Sequence, residues 1–468
     1  MSLMKRMFIG LAPLLIVFAL SFTDIVAQEL EWVATAENSD FLTISDVEVD
    51  SKGNTYIAGA FRDDIRLSKS LAFTASGGFD AFIAKFSASG KPIWCKRWGY
   101  IENDYGGNVA LDSFGNIYVA GIFRNQVDFS GTKLTSTGTS QDIFICKLDT
   151  AGKLIYAKQI AGQQLNLSGI RTDSKGNLII FGDFLGATDF DPSTGKKEYT
   201  PWGFSDGFLC VWDKDANWIT TTYLGGTGMD RILDVHIDDN GIIYFVGTFS
   251  ASMRWESNSF TAKGTTNGII GRYYYNGREW VSNAWYLESY DVVIPQKIVL
   301  DENHNVYVSG RYKGLTDFDI GPSKYELTGP STYNLFTAKY KKWKLDWFDY
   351  SSAHQLSLSD FKIDRESNLF KAFVANTANA QDVILYKLDT LGNKIWSKGF
   401  GGSGNDRIFA IKPLINGNLY AVGTFEENCD FAPGPDTTWR KSKGKTDGFL
   451  MKLGGCKPYF KEENVSAC

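Results

Sequence analysis

Apolar and polar positions alternate along this chain in short runs, and the same order of runs returns seven times. First comes a stretch with every second residue apolar: Val47 and Val49, Val109 and Leu111, Val235 and Ile237. Such alternation predicts a strand with one face buried. A D-x-x-G-N turn follows, then a run of β-branched and aromatic residues, as in "DSKGNTYIAG" (50–59), "DSFGNIYVAG" (112–121) and "DSKGNLIIFG" (173–182). The turn predicts a tight hairpin, because Gly accepts a positive φ and Asp bonds its own backbone. Tyr56, Tyr118, Tyr244, Tyr307 and Tyr420 share one column of the second strand. A third run opens on Asp80, Asp142, Asp206, Asn267, Asn334, Asp382 or Asp447; a fourth carries Trp94, Tyr156, Trp280, Trp347 or Trp396.

The Gly that closes the second run falls at 59, 121, 182, 247, 310 and 423, with Phe373 in its place in the sixth copy. A regular period of this length predicts an array of one supersecondary unit. Four antiparallel strands per unit and seven units predict an all-β fold, a seven-bladed β-propeller. These residues resemble the seven-bladed β-propeller repeat (SBBP) family of exported bacterial proteins: a Trp strand, a Gly-Gly turn, D-x-x-G-N with an aromatic strand, and a D-F-D-P-G-type loop, over about 31–456. The resemblance implies the fold and little about function, since the family is itself mostly described by shape. Repeat phase predicts ring closure. "LEWVATA" stands unpaired before the first copy and the last copy ends on "DGFLMKL", so the two should pair and complete the seventh blade, leaving no long free edge between the chain ends.

Before the repeats, Lys5 and Arg6 precede the apolar run "MFIGLAPLLIVFALSF", and "DIVAQ" offers cleavage after Ala27. That is the layout of a secretory leader, and the apolar run is short for a membrane span of roughly 20 residues. The expected organisation is a leader at 1–27, the propeller at 28–456 and a tail at 457–468. The mature chain is expected as an exported monomer without a membrane span, in the periplasm, on the cell surface or outside the cell. A net charge of −5 with both signs mixed argues against nucleic acid, which needs a basic face. Of six cysteines, Cys456 and Cys468 bracket the tail and could staple it as a disulfide, whereas Cys146 and Cys210 occupy equivalent repeat positions and read as small buried fillers.

Chemistry, if present, falls in the loops. Between the second and third strands six copies carry a long excursion, and the sixth nearly lacks one. These excursions share a face with the blade-to-blade connections, which include "GGTGMDR" with Asp230 and "GGSGNDR" with Asp406. An elaborated, acidic face with a notch at blade six is the expected binding surface. Within "TDFDPSTG" and "TDFDIGPS", Asp189 with Asp191 and Asp317 with Asp319 offer paired carboxylates to calcium, a hard cation that takes oxygen ligands. The competing reading makes these aspartates turn caps and Phe190 and Phe318 plugs for their blades. Trp202, Trp255 and Trp439 lie in the excursions and could stack on a sugar or dock a protein, unless they fold back over their own blades. Three histidines, His236, His304 and His354, show no ligand spacing, and no G-x-S-x-G elbow occurs. No catalytic residue is assigned. The reading is a binding scaffold for a protein or glycan; the alternative is a polysaccharide-acting enzyme with convergent carboxylates at the central mouth.

Overall fold

The computed structural model describes residues 28–454 apart from 139, 353–354 and 378–379, so the leader, His354, Cys456 and Cys468 lie outside the described residues. Among the described residues the strands form seven antiparallel blades with four main strands each, running outward from a central channel. Short hairpin strands extend four of them, and one hairpin, Gln126–Phe129 with Thr132–Thr135, forms a separate two-stranded sheet. Blade one runs Phe41–Val49, Thr55–Ser68, Leu71–Phe86 and Pro92–Trp98. Blade seven has only three strands of its own, Arg407–Pro413, Leu419–Phe425 and Asp447–Leu453. Leu30–Ala36 supplies its fourth, with Trp32 opposite Lys452 and Thr35 opposite Phe449. The ring therefore closes as the repeat phase requires.

The recurring ten residues build one hydrogen-bonded turn. Asp50 Oδ1 accepts the backbone N–H groups of Lys52 and Asn54, both at 2.9 Å, and Oδ2 accepts the Asn54 amide at 2.8 Å and the Tyr56 hydroxyl at 3.1 Å. Gly53 takes the left-handed conformation (φ 78°) between them. His304 and Ser367 hold that position in the fifth and sixth copies, at φ 57° and 64°. Lys85 completes the unit, its ammonium 5.0 Å from the Tyr56 ring and 3.2 Å from the carbonyl of Thr150 in the next blade. Its role is structural, with a packed stem.

Neighbouring blades pack face to face, so each apolar cluster belongs to two of them. Ile44, Phe61 and Phe82 of blade one meet Tyr420, Val422 and Leu450 of blade seven. Cys146 and Cys210 are buried among such residues as free thiols.

The excursions fold as hairpins, and most of them pair outside their own blade. Thr188–Asp189 of blade three pairs with Ala161 and Gly162 at the end of blade two's outer strand. Met253 and Arg254 of blade four likewise pair with Gly226 and Gly225 of blade three, and Cys429 and Asp430 of blade seven with Gly402 and Gly401 of blade six. A Cβ on Gly226 or Gly402 would collide with the carbonyl oxygen of Ser252 or Asn428 on the arriving hairpin. The second Gly of the Gly-Gly turn thus marks a close backbone approach.

Five of these hairpins drive an aromatic ring into the top of their blade, and that of blade one buries Ile65 instead. Phe129, Phe190, Phe318, Phe431 and Trp255 are all fully buried. They meet a third-strand ring in four blades: Phe129–Phe144 at 5.3 Å, Phe190–Phe208 at 4.9 Å, Phe318–Phe336 at 5.0 Å and Phe431–Phe449 at 5.1 Å. The columnar Gly opposite chiefly accommodates the bulged inner strand, since a Cβ on Gly121 or Gly423 would collide first with the carbonyl oxygen of Tyr105 or Arg407 and then with the ring of Phe144 or Phe449. Blade six has no such hairpin; its second and third strands are joined by a short turn, with Thr377 N–H on the Ala380 carbonyl at 2.9 Å. There Phe373 stands in the Gly column opposite Ile384, and the one large ring has moved from the third strand to the second.

Candidate functional site

The seven inner strands wall the channel, and each carries a bulge at the same place: Ile44/Asp46, Gly106/Asn108, Leu167/Gly169, Ile232/Asp234, Pro295/Lys297, Leu358/Asp360 and Ile408/Ala410. Bulges re-aim a side chain, and three of these place an Asp so that it reaches the next blade. Asp46 accepts the Val109 N–H at 3.1 Å, Asp234 that of Ile298 at 3.1 Å, and Asp360 that of Ile411 at 2.9 Å. Sequence reasoning missed these staples, although the signal is present as an Asp four residues before the turn Asp in "DVEVD", "DVHID" and "DFKID".

Toward the turn face the channel holds a cavity of about 260 Å³ lined by Glu48, Arg171, Asp234, His236, Lys362 and Lys412 among others. Its charges are paired internally. Arg171 meets Asp234 at 3.0 Å, Lys412 meets Glu48 at 2.8 Å, and Lys362 and Lys297 meet Asp360 at 3.0 and 3.6 Å. Burial alone would raise Asp360, but the Lys362 and Lys297 ammoniums overcome it and hold the carboxyl well below the usual range. Burial, with a further push from the Arg171, Lys362 and Lys412 cations, drives His236 down to about 4 despite Asp234 beside it. Asp46 is raised, chiefly by burial, but both its oxygens accept backbone N–H groups, from Val47 and Val109. The carboxylates here are stapled to backbone or cations, which is not the convergent acid–base pair a glycoside-cleaving mouth needs.

At the loop face the mouth widens into a cavity of about 660 Å³ beside blades four to six, where blade six contributes no hairpin. Its charged groups are Arg231, Lys297 and Arg311, all cationic, against the acidic surface expected from the sequence. Arg311 stacks on Tyr333 at 4.5 Å and Arg231 stands 3.6 Å from Asp183. Met229 lies on the rim, 50% exposed, and a parallel bridge between Ser205 and Met229 brings it beside Phe204, 62% exposed. Tyr100, Ile101 and Tyr290 are exposed on other blade-to-blade connections of the same face.

The sequence-selected residues scatter over this frame. Trp202 is 51% exposed and rests on Tyr223 at 4.8 Å, close to Phe204 in blade three. Trp439 is exposed too, on the hairpin of blade seven. Trp255 is a correction: it is fully buried, edge-on to Phe245 at 5.0 Å, with its indole N–H on Thr222 at 2.9 Å, and presents no surface. Asp230 and Asp406 are also buried rather than displayed. Each stands beside the Asp that opens a third strand, because Ser205–Met229 and Gln381–Asn405 form parallel bridges one residue earlier. Burial, reinforced by the Asp206 charge, raises Asp230 to about 8; burial and the Asp382 charge raise Asp406 to about 7.

Asp189 caps its hairpin, accepting the N–H groups of Asp191 and Lys197 at 3.1 and 2.8 Å; Asp317 does the same for Asp319 and Tyr325 at 3.1 and 2.9 Å. Asp191 and Asp319 cap the following residues, Ser193 and Gly321, at 2.9 and 2.7 Å. Among the described residues no three His, Cys, Asp or Glu side chains gather around a point that a metal could occupy.

Comparison with known proteins meets the geometry at the repeat. The β-propeller repeat family SBBP matches residues 93–121, which span the Trp strand of blade one and the first hairpin of blade two. Residues 93–121 thus carry an SBBP-type repeat within a seven-bladed propeller. A WD repeat-containing protein of Acanthamoeba polyphaga mimivirus, L264, is 29% identical over 231 residues, covering 42% of this chain and 17% of that protein. The regulatory protein FlaEY of Caulobacter vibrioides is 25% identical over 244 residues, covering 47% and 24%. The chain thus spans less than a quarter of each of these relatives' length. Among solved structures, a PL25 ulvan lyase bound to -[GlcA(1-4)Rha3S]- aligns with TM-score 0.46 and 9% identity, over 87% of this chain and 97% of that one. YCF48 bound to D1 peptide aligns with TM-score 0.41 and 8% identity, over 93% and 100%. At such scores neither bears on ligand or chemistry.

Proposed function

We propose that this chain is an exported interaction scaffold that binds a partner protein at the loop-face mouth. One observation carries the reading: a cavity of about 660 Å³, ringed by Arg231, Lys297 and Arg311 and flanked by exposed Met229, lies where the short turn of blade six opens the rim. Exposed apolar side chains beside cations are the composition of a protein-docking surface, with apolar contact supplying affinity and charge supplying orientation. Export rests on the leader-like segment at 1–27, and mass spectrometry of the secreted chain should find Gln28 at its N-terminus.

The test is a binding screen of residues 28–468 against exported proteins and a glycan array, with hits located by cross-linking. A protein partner should cross-link around Met229 and lose about tenfold in affinity with Arg231→Glu plus Arg311→Glu, a loss typical of interfacial charges. Binding confined to glycans, or protein binding that ignores the double substitution, contradicts the reading.

A further inference from the structure

In three blades the connection to the next brings a second aspartate beside the one that opens the third strand. Asp104, Asp230 and Asp406 donate their backbone N–H to the carbonyls of Phe79, Ser205 and Gln381, the residues just before Asp80, Asp206 and Asp382. Blade one supplies its own counter-charge: Arg97, opposite Phe82, donates from its guanidinium to Asp80 Oδ2. In blade three the same register, opposite Phe208, holds Tyr223, and Arg231, next to Asp230, turns to Asp183 at 3.6 Å instead. Among the described residues neither Asp206 nor Asp230 has an ion-pair partner.

Each of these two carboxyls is only half satisfied. Asp206 Oδ2 accepts the Trp202 N–H at 3.0 Å, and Asp230 Oδ1 accepts that of Ser250 at 3.2 Å. The other two oxygens, Asp206 Oδ1 and Asp230 Oδ2, are buried without a hydrogen-bond partner, and both residues are fully buried. The hydroxyl of Ser205, one residue earlier, is buried and unpartnered as well. Gly225 keeps room beside the free Asp206 oxygen, since a Cβ there would stand 2.1 Å from Oδ1. Two uncompensated charges cannot be kept in such a place. Burial raises Asp206 to about 6, and burial with the Asp206 charge behind it raises Asp230 to about 8. The pair must therefore hold either a proton or a cation, and a donor set made of oxygen suits a hard cation.

We propose that Asp206 and Asp230 hold a calcium ion at the junction of blades three and four, with Asp206 Oδ1 and Asp230 Oδ2 as its carboxylate ligands and carbonyl or water oxygens completing the shell. The ion does for blade three what the Arg97 guanidinium does for blade one, and a proton takes its place when calcium is withdrawn. The site is separate from the turn-capping aspartates 189 and 317, and it stands whether or not a protein docks at the mouth.

The test titrates calcium into chelator-stripped residues 28–468 at about pH 8, above both raised values, and follows the heat. Saturable binding is expected with a dissociation constant of about 0.1–1 mM, the range of extracellular calcium modules. Asp206→Asn with Asp230→Asn should weaken it at least about tenfold, whereas Asp189→Asn with Asp317→Asn should leave it unchanged. A second readout does not depend on the carboxyl variants folding. Terbium, an oxygen-seeking stand-in for calcium, should emit by energy transfer from Trp202, whose N–H caps Asp206; Trp202→Leu should dim that emission and keep calcium binding. No saturable binding below about 10 mM calcium would overturn the site and leave the pair sharing a proton. Binding that survives the Asp206 and Asp230 substitutions, or terbium emission indifferent to Trp202, would place the ion elsewhere and overturn it too.

Discussion

Aspartate does three different jobs in this molecule, and its surroundings decide which. At the turns it is half-exposed and caps backbone N–H groups, as Asp50 does. At the inner-strand bulges it is buried and staples one blade to the next. Asp360→Ala would remove the counter-charge of Lys362 and Lys297 and strand the Ile411 N–H; the expected loss is about 3–5 kcal/mol, the usual result of breaking a buried pair from one side. Chemical denaturation checks it, and Asp360→Asn should recover part of the loss. In the third setting two carboxyls lie together in a dry place.

These pairs set a pH dependence. Burial first, and the neighbouring Asp second or later, raise Asp104 and Asp230 to about 8 and Asp406 to about 7. A raised carboxyl pKa means the folded state holds protons that the unfolded chain has released, so stability falls as pH rises from about 4 to about 8. Turn carboxylates such as Asp50 and Asp213 are shifted the other way, held low by Asn and backbone donors against the effect of burial, and their contribution is lost below the ordinary carboxylate pKa. The melting temperature should therefore peak near pH 5 and decline toward pH 8.5. Asp230→Asn combined with Asp406→Asn should flatten the decline; an unchanged slope would contradict the assignment.

At the scale of elements, the strands and turns were legible because their causes are local. Asp50, Gly53 and Tyr56 sit within seven residues, and the alternation around Val47 and Val49 states its own burial. The destination of the excursions was not legible. Gly226 and Gly402 read as turn residues, yet their partners arrive from the following blade about 26 residues on, and nothing local to either segment encodes that pairing. For the same reason the sequence left open whether Trp255 is exposed or folds back: its cover, Thr222 and Phe245, belongs to two neighbouring blades and is assembled only in the fold. The Phe plugs follow from the reading of D-F-D as a cap with a plug.

If these rings hold the hairpins down, Phe431→Ala should cost about 3–5 kcal/mol as a buried aromatic truncation, and should raise hydrogen exchange over 428–441. Restoring the consensus in blade six with Phe373→Gly and Ile384→Phe should destabilise it, because the plug that partners a third-strand ring is missing there; thermal melting of the double variant checks this. A stable double variant would separate the Gly column from the excursions.

At the scale of the whole molecule, seven blades leave a channel whose charges neutralise one another and a loop-face mouth lined by three cations. Of these, Arg231 and Lys297 stand 3.6 Å from carboxylates of neighbouring blades and Arg311 stacks on Tyr333. The inner cavity near His236 is held together by ion pairs that would have to break for a ligand to enter, so binding is assigned to the mouth and the rim. The sequence pattern located that rim by loop length, and the cations that line its cavity lay outside the pattern. Charge at the mouth comes from Arg231, Lys297 and Arg311 on three different strands, while Asp230 and Asp406 of the connections are buried.

All of this depends on a ring whose first strand belongs to its last blade. Hydrogen exchange of the strand Asp447–Leu453, compared between residues 28–468 and a chain beginning at residue 38, tests that pairing most directly. The intact chain should protect the strand, and the shortened one should lose that protection, melt at lower temperature and regain both on adding the peptide of residues 28–38. Equal protection in the two chains would contradict the closed propeller.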